Sequence, residues 1–268
     1  TKSLTHYFPS IRMGVEVALK SFNSNNPYLL FNSNFSCNEK PIEINGLVWM
    51  GDIDFMRNQV FKKIEDGFSC VKLKIGALDF KLECELLGEI RKNYSNKQVV
   101  LRLDANGAFS AGEALKKLEK LSNYDIHSIE QPIATGQYNV MKTLCASTPI
   151  PIALDEDLIG VVNKYDKEQL VKEINPQYII IKPSLLGGFN ASEEWINIAN
   201  KNQIGWWVTS ALESNIGLNA IAQWTSTLRV SIPQGLGTGG LFTNNIDSPL
   251  VVDNGKMIYD QSKIWGEI

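Results

Sequence analysis

The sequence predicts an α/β fold, a (β/α)7β barrel of the TIM type. A short apolar run returns eight times, and each run but the last is followed by a segment of helical composition. The runs are GLVWMG, CVKLKIG, VVLRLD, IHSIEQP, PIALDE, QYIIIKP, GWWVTS and SIPQGLG. A doubly wound open sheet is the alternative, but eight such units close naturally into a barrel, and 268 residues is an ordinary barrel length.

Helical patterns are clearest in DFMRNQVFKKIEDG, SAGEALKKLEKLSN, NASEEWINIANKNQ and NIGLNAIAQWTST. The residues before position 45 are rich in Asn, Ser and Pro, which predicts a loop-rich lead-in. Near the end, PLVVDNGKMIYD places Asn-Gly between two apolar runs, a pattern typical of a β-hairpin. The predicted organisation is a lead-in over 1–45, a catalytic barrel over 46–240 and a C-terminal segment over 241–268.

Composition excludes several classes of protein. The formal net charge is -3 and the pI is near 5.6, so we expect no nucleic-acid partner. No apolar run reaches the ~18 residues of a membrane span and no signal peptide opens the sequence, so we expect a cytoplasmic protein without membrane insertion. The four cysteines lack metal or redox spacing, and His6 and His127 are isolated, so structural roles are expected for all of them.

The stretch CVKLKIG alternates between apolar and charged residues, with Val71, Leu73 and Ile75 on one face of the strand and Lys72 and Lys74 on the other. On a half-exposed strand the lysines would point to water, because lysine is rarely buried unless it is paired. Barrel strands, however, are buried on both faces. If the apolar face packs against helices, the lysines point into the barrel, where ionisable groups at strand carboxyl ends are typical of catalysis.

The next four strands also end in ionisable residues, in the order Asp104, Glu130, Asp155 and Lys182. Successive members are roughly 26 residues apart, the length of one βα repeat. Each alone has an ordinary explanation, such as a turn-forming aspartate. Their recurrence at consecutive strand ends instead predicts a site on one rim of the barrel.

Three carboxylates in one site would repel one another unless a divalent cation bound them. All-oxygen ligands favour Mg²⁺ or Mn²⁺ over zinc. A small-molecule carboxylate substrate could then place its α-carbon between Lys74 and Lys182, an arrangement suited to removing the α-proton. Because the ordinary pKa of a lysine is about 10.4, a lysine base needs burial or a neighbouring cation.

Several motifs resemble the enolase superfamily and its muconate-lactonizing-like subgroup, namely VKLKIG, LRLDANGAF, IEQP, IALDED and IIKPSLLGG. SIRMGVEVAL, TSALESNIGLNAIAQW and GLGTGGLF are similar to the o-succinylbenzoate synthase family of menaquinone biosynthesis. That resemblance implies syn dehydration of 2-succinyl-6-hydroxy-2,4-cyclohexadiene-1-carboxylate by a lyase. It also implies an α+β capping domain before the barrel, and we expect most of this domain to be missing from this sequence, with 1–45 as its remnant.

The resemblance also implies roles for individual residues. Mg²⁺ is expected on Asp104, Glu130 and Asp155. Lys74 is expected to take the proton and then help the hydroxyl leave, while Lys182 steadies the enediolate. Supporting roles fall to Lys72, Arg102, Asn106 and Glu156. At the end of the last strand, a turn that includes Gly237 and Thr238 is expected to offer backbone N–H groups to a substrate carboxylate, with Ser210 and Ser214 lining the same pocket.

Two other functions remain open on sequence alone. An N-succinylamino acid racemase or a dipeptide epimerase of the same superfamily would need the same two lysines. A barrel that lost activity and serves as a metal-binding scaffold is the other alternative. Folding does not require the five strand-end residues, so their presence argues against the scaffold.

Overall fold

The computed structural model describes residues 8–267, so His6 lies outside the described residues. In this range the strands are β1 (Ile42–Glu43), β2 (Gly46–Val48), β3 (Cys70–Lys74), β4 (Val100–Asp104), β5 (Ile126–Glu130), β6 (Ile152–Leu154), β7 (Tyr178–Ile181), β8 (Gly205–Val208), β9 (Leu250–Asp253) and β10 (Lys256–Tyr259). The α-helices are α1 (Pro9–Phe22), α2 (Ile53–Glu65), α3 (Phe80–Asn93), α4 (Ala114–Leu121), α5 (Tyr138–Ser147), α6 (Lys164–Ile174), α7 (Pro183–Leu186), α8 (Phe189–Lys201) and α9 (Asn215–Thr227).

The chain forms two compact units. The first contains the described residues up to Asn45, then Ile181–Ile196, and the described residues from Trp207 onward. The second contains Gly46–Ile180 and Asn197–Trp206. Strands β2 to β8 form one sheet in sequential order, and every pairing from β2 to β7 is parallel. This order is what successive βα repeats produce, so the predicted alternation is confirmed.

Register places the strand ends side by side in the second unit. Lys74 is the Cα partner of Asp104, and Asp104 is the partner of Glu130. Glu130 in turn pairs with Ala153, two residues before Asp155. The polar residues predicted at successive strand ends therefore lie at one edge of the sheet.

The eighth predicted strand is reduced to isolated bridges in the first unit. Gln234 forms a parallel bridge with Ile44, and Gly235 forms one with Thr209. The side chain of Gln234 is fully buried and accepts a hydrogen bond from the backbone N–H of Val208 at 2.8 Å. Pro233 has no N–H to donate, which limits the ladder at this point.

The lead-in contains one regular helix, α1, as well as the predicted loops. Pro9 occupies its first turn, where a missing N–H costs nothing. At the other end of the chain the predicted hairpin is confirmed, because β9 and β10 pair antiparallel around Asn254 and Gly255. Both turn residues have positive φ, 47° and 70°, which Asn-Gly tolerates well. The hairpin also pairs with β1.

Candidate active site

Strand β3 is buried on both faces. Val71 and Leu73 are fully buried, while Lys72 is only 6% exposed. The side chain of Lys74, at the carboxyl end of the strand, is 17% exposed. The prediction that both lysines point into the protein is therefore confirmed, and each must have partners for its charge.

Lys72 is held by two buried carboxylates. Its Nζ lies 2.8 Å from Oδ2 of Asp104 and 2.9 Å from Oε2 of Glu130. Burial alone would lower the pKa of this ammonium, but the charges of Glu130 and Asp104 outweigh it and raise the pKa well above its usual value. Lys72 is thus a fixed cation, suited to positioning the two carboxylates and not to moving protons.

Lys74 lies at the more exposed end of the same network. Its Nζ is 3.2 Å from Oδ2 of Asp104 and donates to Oδ1 of Asn106 at 2.6 Å. Asn106 donates in turn to Oε1 of Glu156 at 2.9 Å, while Oε2 of Glu156 is buried without a hydrogen-bond partner. The ring of Trp49 lies beside the ammonium, with its centroid 5.8 Å away. A lysine that is fixed in place and reachable from solvent can exchange protons with a substrate.

Gln131 organises the loop that carries Asp155, a role that the sequence analysis missed. Its Oε1 accepts hydrogen bonds from the backbone N–H groups of Asp155 at 3.2 Å and Asp157 at 3.3 Å. Its Nε2 donates to Oδ2 of Asp157 at 2.8 Å. The backbone of Gln131 has φ of 39°, a conformation uncommon for a residue with a side chain. The only signal in the sequence was a polar residue directly after a strand-end glutamate.

The donor chemistry fits a hard divalent cation. Asp104, Glu130 and Asp155 are buried carboxylates at the ends of three successive strands. Among residues 8–267, no three His, Cys, Asp or Glu side chains are grouped closely enough to hold a metal ion as they stand. The ammonium of Lys72 contacts two of the three carboxylates, so a bound cation would share their charge with it.

Arg102 also lies within this unit, and its supporting role stays a prediction. It is buried on β4, two residues before Asp104, and is the Cα partner of Lys72. Burial lowers the pKa of its guanidinium below the usual value.

The remaining predicted residues lie in the first unit. Lys182 is half-buried and directly follows β7. Ser210 and Thr238 are both buried, and their hydroxyl oxygens are 2.6 Å apart. Gly237 is half-buried, and Ser214 is exposed at the start of α9. The structure brings Ser210 and Thr238 together. A substrate-binding role stays a prediction for these two residues and for Ser214 and Gly237.

Known proteins share both the sequence and the fold of this chain. O-succinylbenzoate synthase of Desulfotalea psychrophila is 50% identical over 92% of this chain and 67% of its own length. The crystal structure of MenC from Desulfotalea psychrophila superimposes with a TM-score of 0.88 at 49% identity, covering 93% of this chain and 69% of that one. An L-Ala-D/L-Glu epimerase of Thermotoga maritima is 29% identical over 78% of this chain and 58% of its own length.

The family comparison agrees with the strand-end geometry. The sequence model of the enolase C-terminal domain-like family matches residues 56–262, which include every predicted metal and lysine position. The resemblance inferred from the motifs is confirmed. The chain belongs to the enolase C-terminal domain-like family.

Proposed function

We propose that this chain carries the catalytic barrel of an o-succinylbenzoate synthase. The reaction is Mg²⁺-dependent syn dehydration of 2-succinyl-6-hydroxy-2,4-cyclohexadiene-1-carboxylate. The observation that carries the proposal is the placement of Lys74 beside Asp104 and Asn106, in a chain 50% identical to a synthase over 92% of its length. The epimerase relative, at 29% identity, makes racemisation the second candidate.

Lys74 performs the proton transfers in this mechanism. As the free amine it removes the proton next to the substrate carboxylate, and as the ammonium it returns a proton to the departing hydroxyl on the same face. Asn106 and Asp104 hold its Nζ in one position throughout. Lys182 remains cationic and stabilises the enediolate charge.

Asp104, Glu130 and Asp155 would hold the Mg²⁺ ion. When bound, such an ion neutralises the negative charge that develops on the substrate carboxylate. Lys72 keeps the carboxylates of Asp104 and Glu130 together, since it contacts both. Gln131 fixes the backbone at Asp155, and Glu156 orients Asn106.

Metal binding can be measured without turnover. After treatment with a chelator, added Mg²⁺ or Mn²⁺ should raise the thermal unfolding midpoint of the protein, because only the folded state aligns the three strands whose ends carry these carboxylates. Glu130→Gln should abolish that increase. A Lys62→Gln variant, which changes an exposed ion pair with Asp66, is the control and should respond like the wild type. An unchanged midpoint in the wild type would contradict the metal assignment.

A pair of assays separates dehydration from racemisation. Dehydration uses one face of the substrate, so Lys182→Arg, which keeps the charge, should retain measurable dehydration. Racemisation needs a base on each face and should be lost in the same variant. If the wild type exchanges the α-proton of N-succinylamino acids in D₂O, with loss of chirality, more efficiently than it dehydrates the cyclohexadiene, the synthase proposal is wrong.

We also propose that residues 1–45 are a remnant of a capping region and that 241–268 return toward it. The chain spans 67% of the synthase relative's length. On α1, Ile11, Val15, Leu19 and Phe22 are exposed although they recur at helical spacing, which is typical of a helix covered by further structure. The hairpin β9–β10 pairs with β1, within the remnant.

The partners proposed for this chain are small carboxylate molecules. In residues 8–267, no helix has the length and apolar composition to cross a membrane. The cytoplasmic location expected from the sequence stays a prediction.

A further inference from the structure

A cavity of about 710 Å³ opens in the first unit, and none of the predicted strand-end residues lines it. Its walls come from the loop around Asn34–Pro41, from β1, from the segment that follows α9, and from β10. Apolar side chains form much of the lining, among them Phe35, Ile42, Leu228 and Ile232. The volume is in the range of cavities that bind small molecules.

Backbone hydrogen bonds hold these walls in place. The carbonyl of Asn34 accepts from the backbone N–H groups of Glu39 at 2.7 Å and Lys40 at 3.0 Å. Gln234 donates its backbone N–H to the carbonyl of Glu43 at 2.8 Å, which ties the segment after α9 to β1. Lys256 lies on β10 directly opposite Glu43. The cavity is therefore formed in advance and does not depend on a ligand to order it.

Three cations line this cavity, Lys40, Arg229 and Lys256, against one carboxylate, Glu43. None of the three cations takes part in an ion pair within residues 8–267. The three cations belong to different segments of the lining, namely the loop before β1, the segment after α9, and β10. Lys40 and Arg229 are exposed and Lys256 is half-buried, so with Glu43 the lining carries a formal charge of +2 in a chain of net charge -3.

We infer that this cavity binds an organic dianion with an aromatic or apolar body. The apolar side chains of the lining would contact the body of the ligand. The guanidinium of Arg229 and the ammonium groups would bind its two anionic groups. Phosphate alone would gain nothing from the apolar lining, and a neutral aromatic molecule would leave the cations unpaired. A ligand that has both an apolar body and two anionic groups matches the apolar lining and the cations together.

Naphthalene-1,5-disulfonate is a suitable probe, since it keeps both charges at any pH at which the protein is folded. Isothermal titration calorimetry with the whole chain measures its binding. The double variant Arg229→Gln/Lys256→Gln should bind it about tenfold or more weakly, because two charge-assisted contacts are removed. Glu43→Gln should bind it more tightly, because the one opposing charge is gone.

A matched control changes the net charge equally at residues outside the cavity. Lys92→Gln/Lys97→Gln removes two exposed cations that do not line the cavity, and its affinity should equal that of the wild type. Equal weakening in both double variants would mean that only net charge matters and would overturn the inference. The inference would also be overturned if Arg229→Gln/Lys256→Gln bound the probe as tightly as the wild type, or if Glu43→Gln bound it more weakly. Thermal unfolding of each variant checks that the fold is kept.

Discussion

The two ends of the parallel sheet in the second unit both hold ionisable groups out of solvent, but only at one end are those groups charged. At the carboxyl end, Lys72, Asp104 and Glu130 are buried as ions because each contacts an opposite charge. At the amino end, burial raises the pKa of the Cys70 thiol, and burial followed by the charge of Arg102 lowers the pKa of His127 to about 4. Both groups therefore stay neutral at pH 7.

The difference shows that burial alone does not create an active site. His127 donates or accepts one hydrogen bond with Ser128 at 2.9 Å and packs beside the ring of Tyr178 at 5.2 Å between centroids. These contacts suit a neutral ring in a structural role, as predicted for an isolated histidine. At the carboxyl end, Lys72, Asp104 and Glu130 stay charged although they are buried, because the sheet register brings their opposite charges together.

The largest effect is expected at Lys74. Lys74→Ala should reduce turnover of the cyclohexadiene by about 10³-fold or more, since one group supplies both proton transfers. The free energy of unfolding should change little, because Asp104 keeps its contact with Lys72. Steady-state kinetics and urea denaturation test the two statements. Substantial turnover by the variant would assign the base elsewhere.

Lys72 should affect stability most. Lys72→Met leaves Asp104 and Glu130 buried without their shared cation, so the free energy of unfolding should fall by about 3 kcal/mol in the absence of divalent metal. Adding Glu130→Gln to that variant should recover part of the loss, because one of the two anions is removed. Lys62→Met, which breaks an exposed pair with Asp66, should lower the free energy of unfolding far less than Lys72→Met does. Urea denaturation that gave equal losses for Lys72→Met and Lys62→Met would contradict the comparison.

The smallest effect is expected on the pH dependence of stability, from His127 at the amino end of the sheet. The unfolded chain protonates His127 near its ordinary pKa of 6.5, whereas the folded protein does so only near 4. Stability from this group is therefore present above pH 6.5 and is lost as the pH falls toward 4. The loss should be on the order of 1 kcal/mol, since the ring is partly exposed and solvent screens its charge.

A His127→Gln variant isolates this contribution. The difference in unfolding free energy between the wild type and the variant should shrink between pH 6.5 and pH 4. Denaturation curves at a series of pH values measure it. A difference independent of pH would show that His127 is protonated in the folded state.

The alternation of strands and helices after residue 45 and the residues at the strand ends could be predicted from the sequence alone. Alternation of Val71, Leu73 and Ile75 with the two lysines was enough to place both lysines in the interior once a barrel was inferred. The Asn-Gly hairpin could also be predicted, because its turn requires only local backbone geometry. These features depend on periods of a few residues, which a single sequence displays directly.

The partners of those residues, in contrast, could be identified only from the three-dimensional structure. Lys72 contacts Glu130, 58 residues away along the chain, because register aligns three strands. Gln131 holds the loop of Asp155, and three separate segments bring cations to one cavity. No periodic pattern encodes such pairings. They arise from the packing of elements distant in sequence, where burial makes each unpaired charge costly and so selects one arrangement.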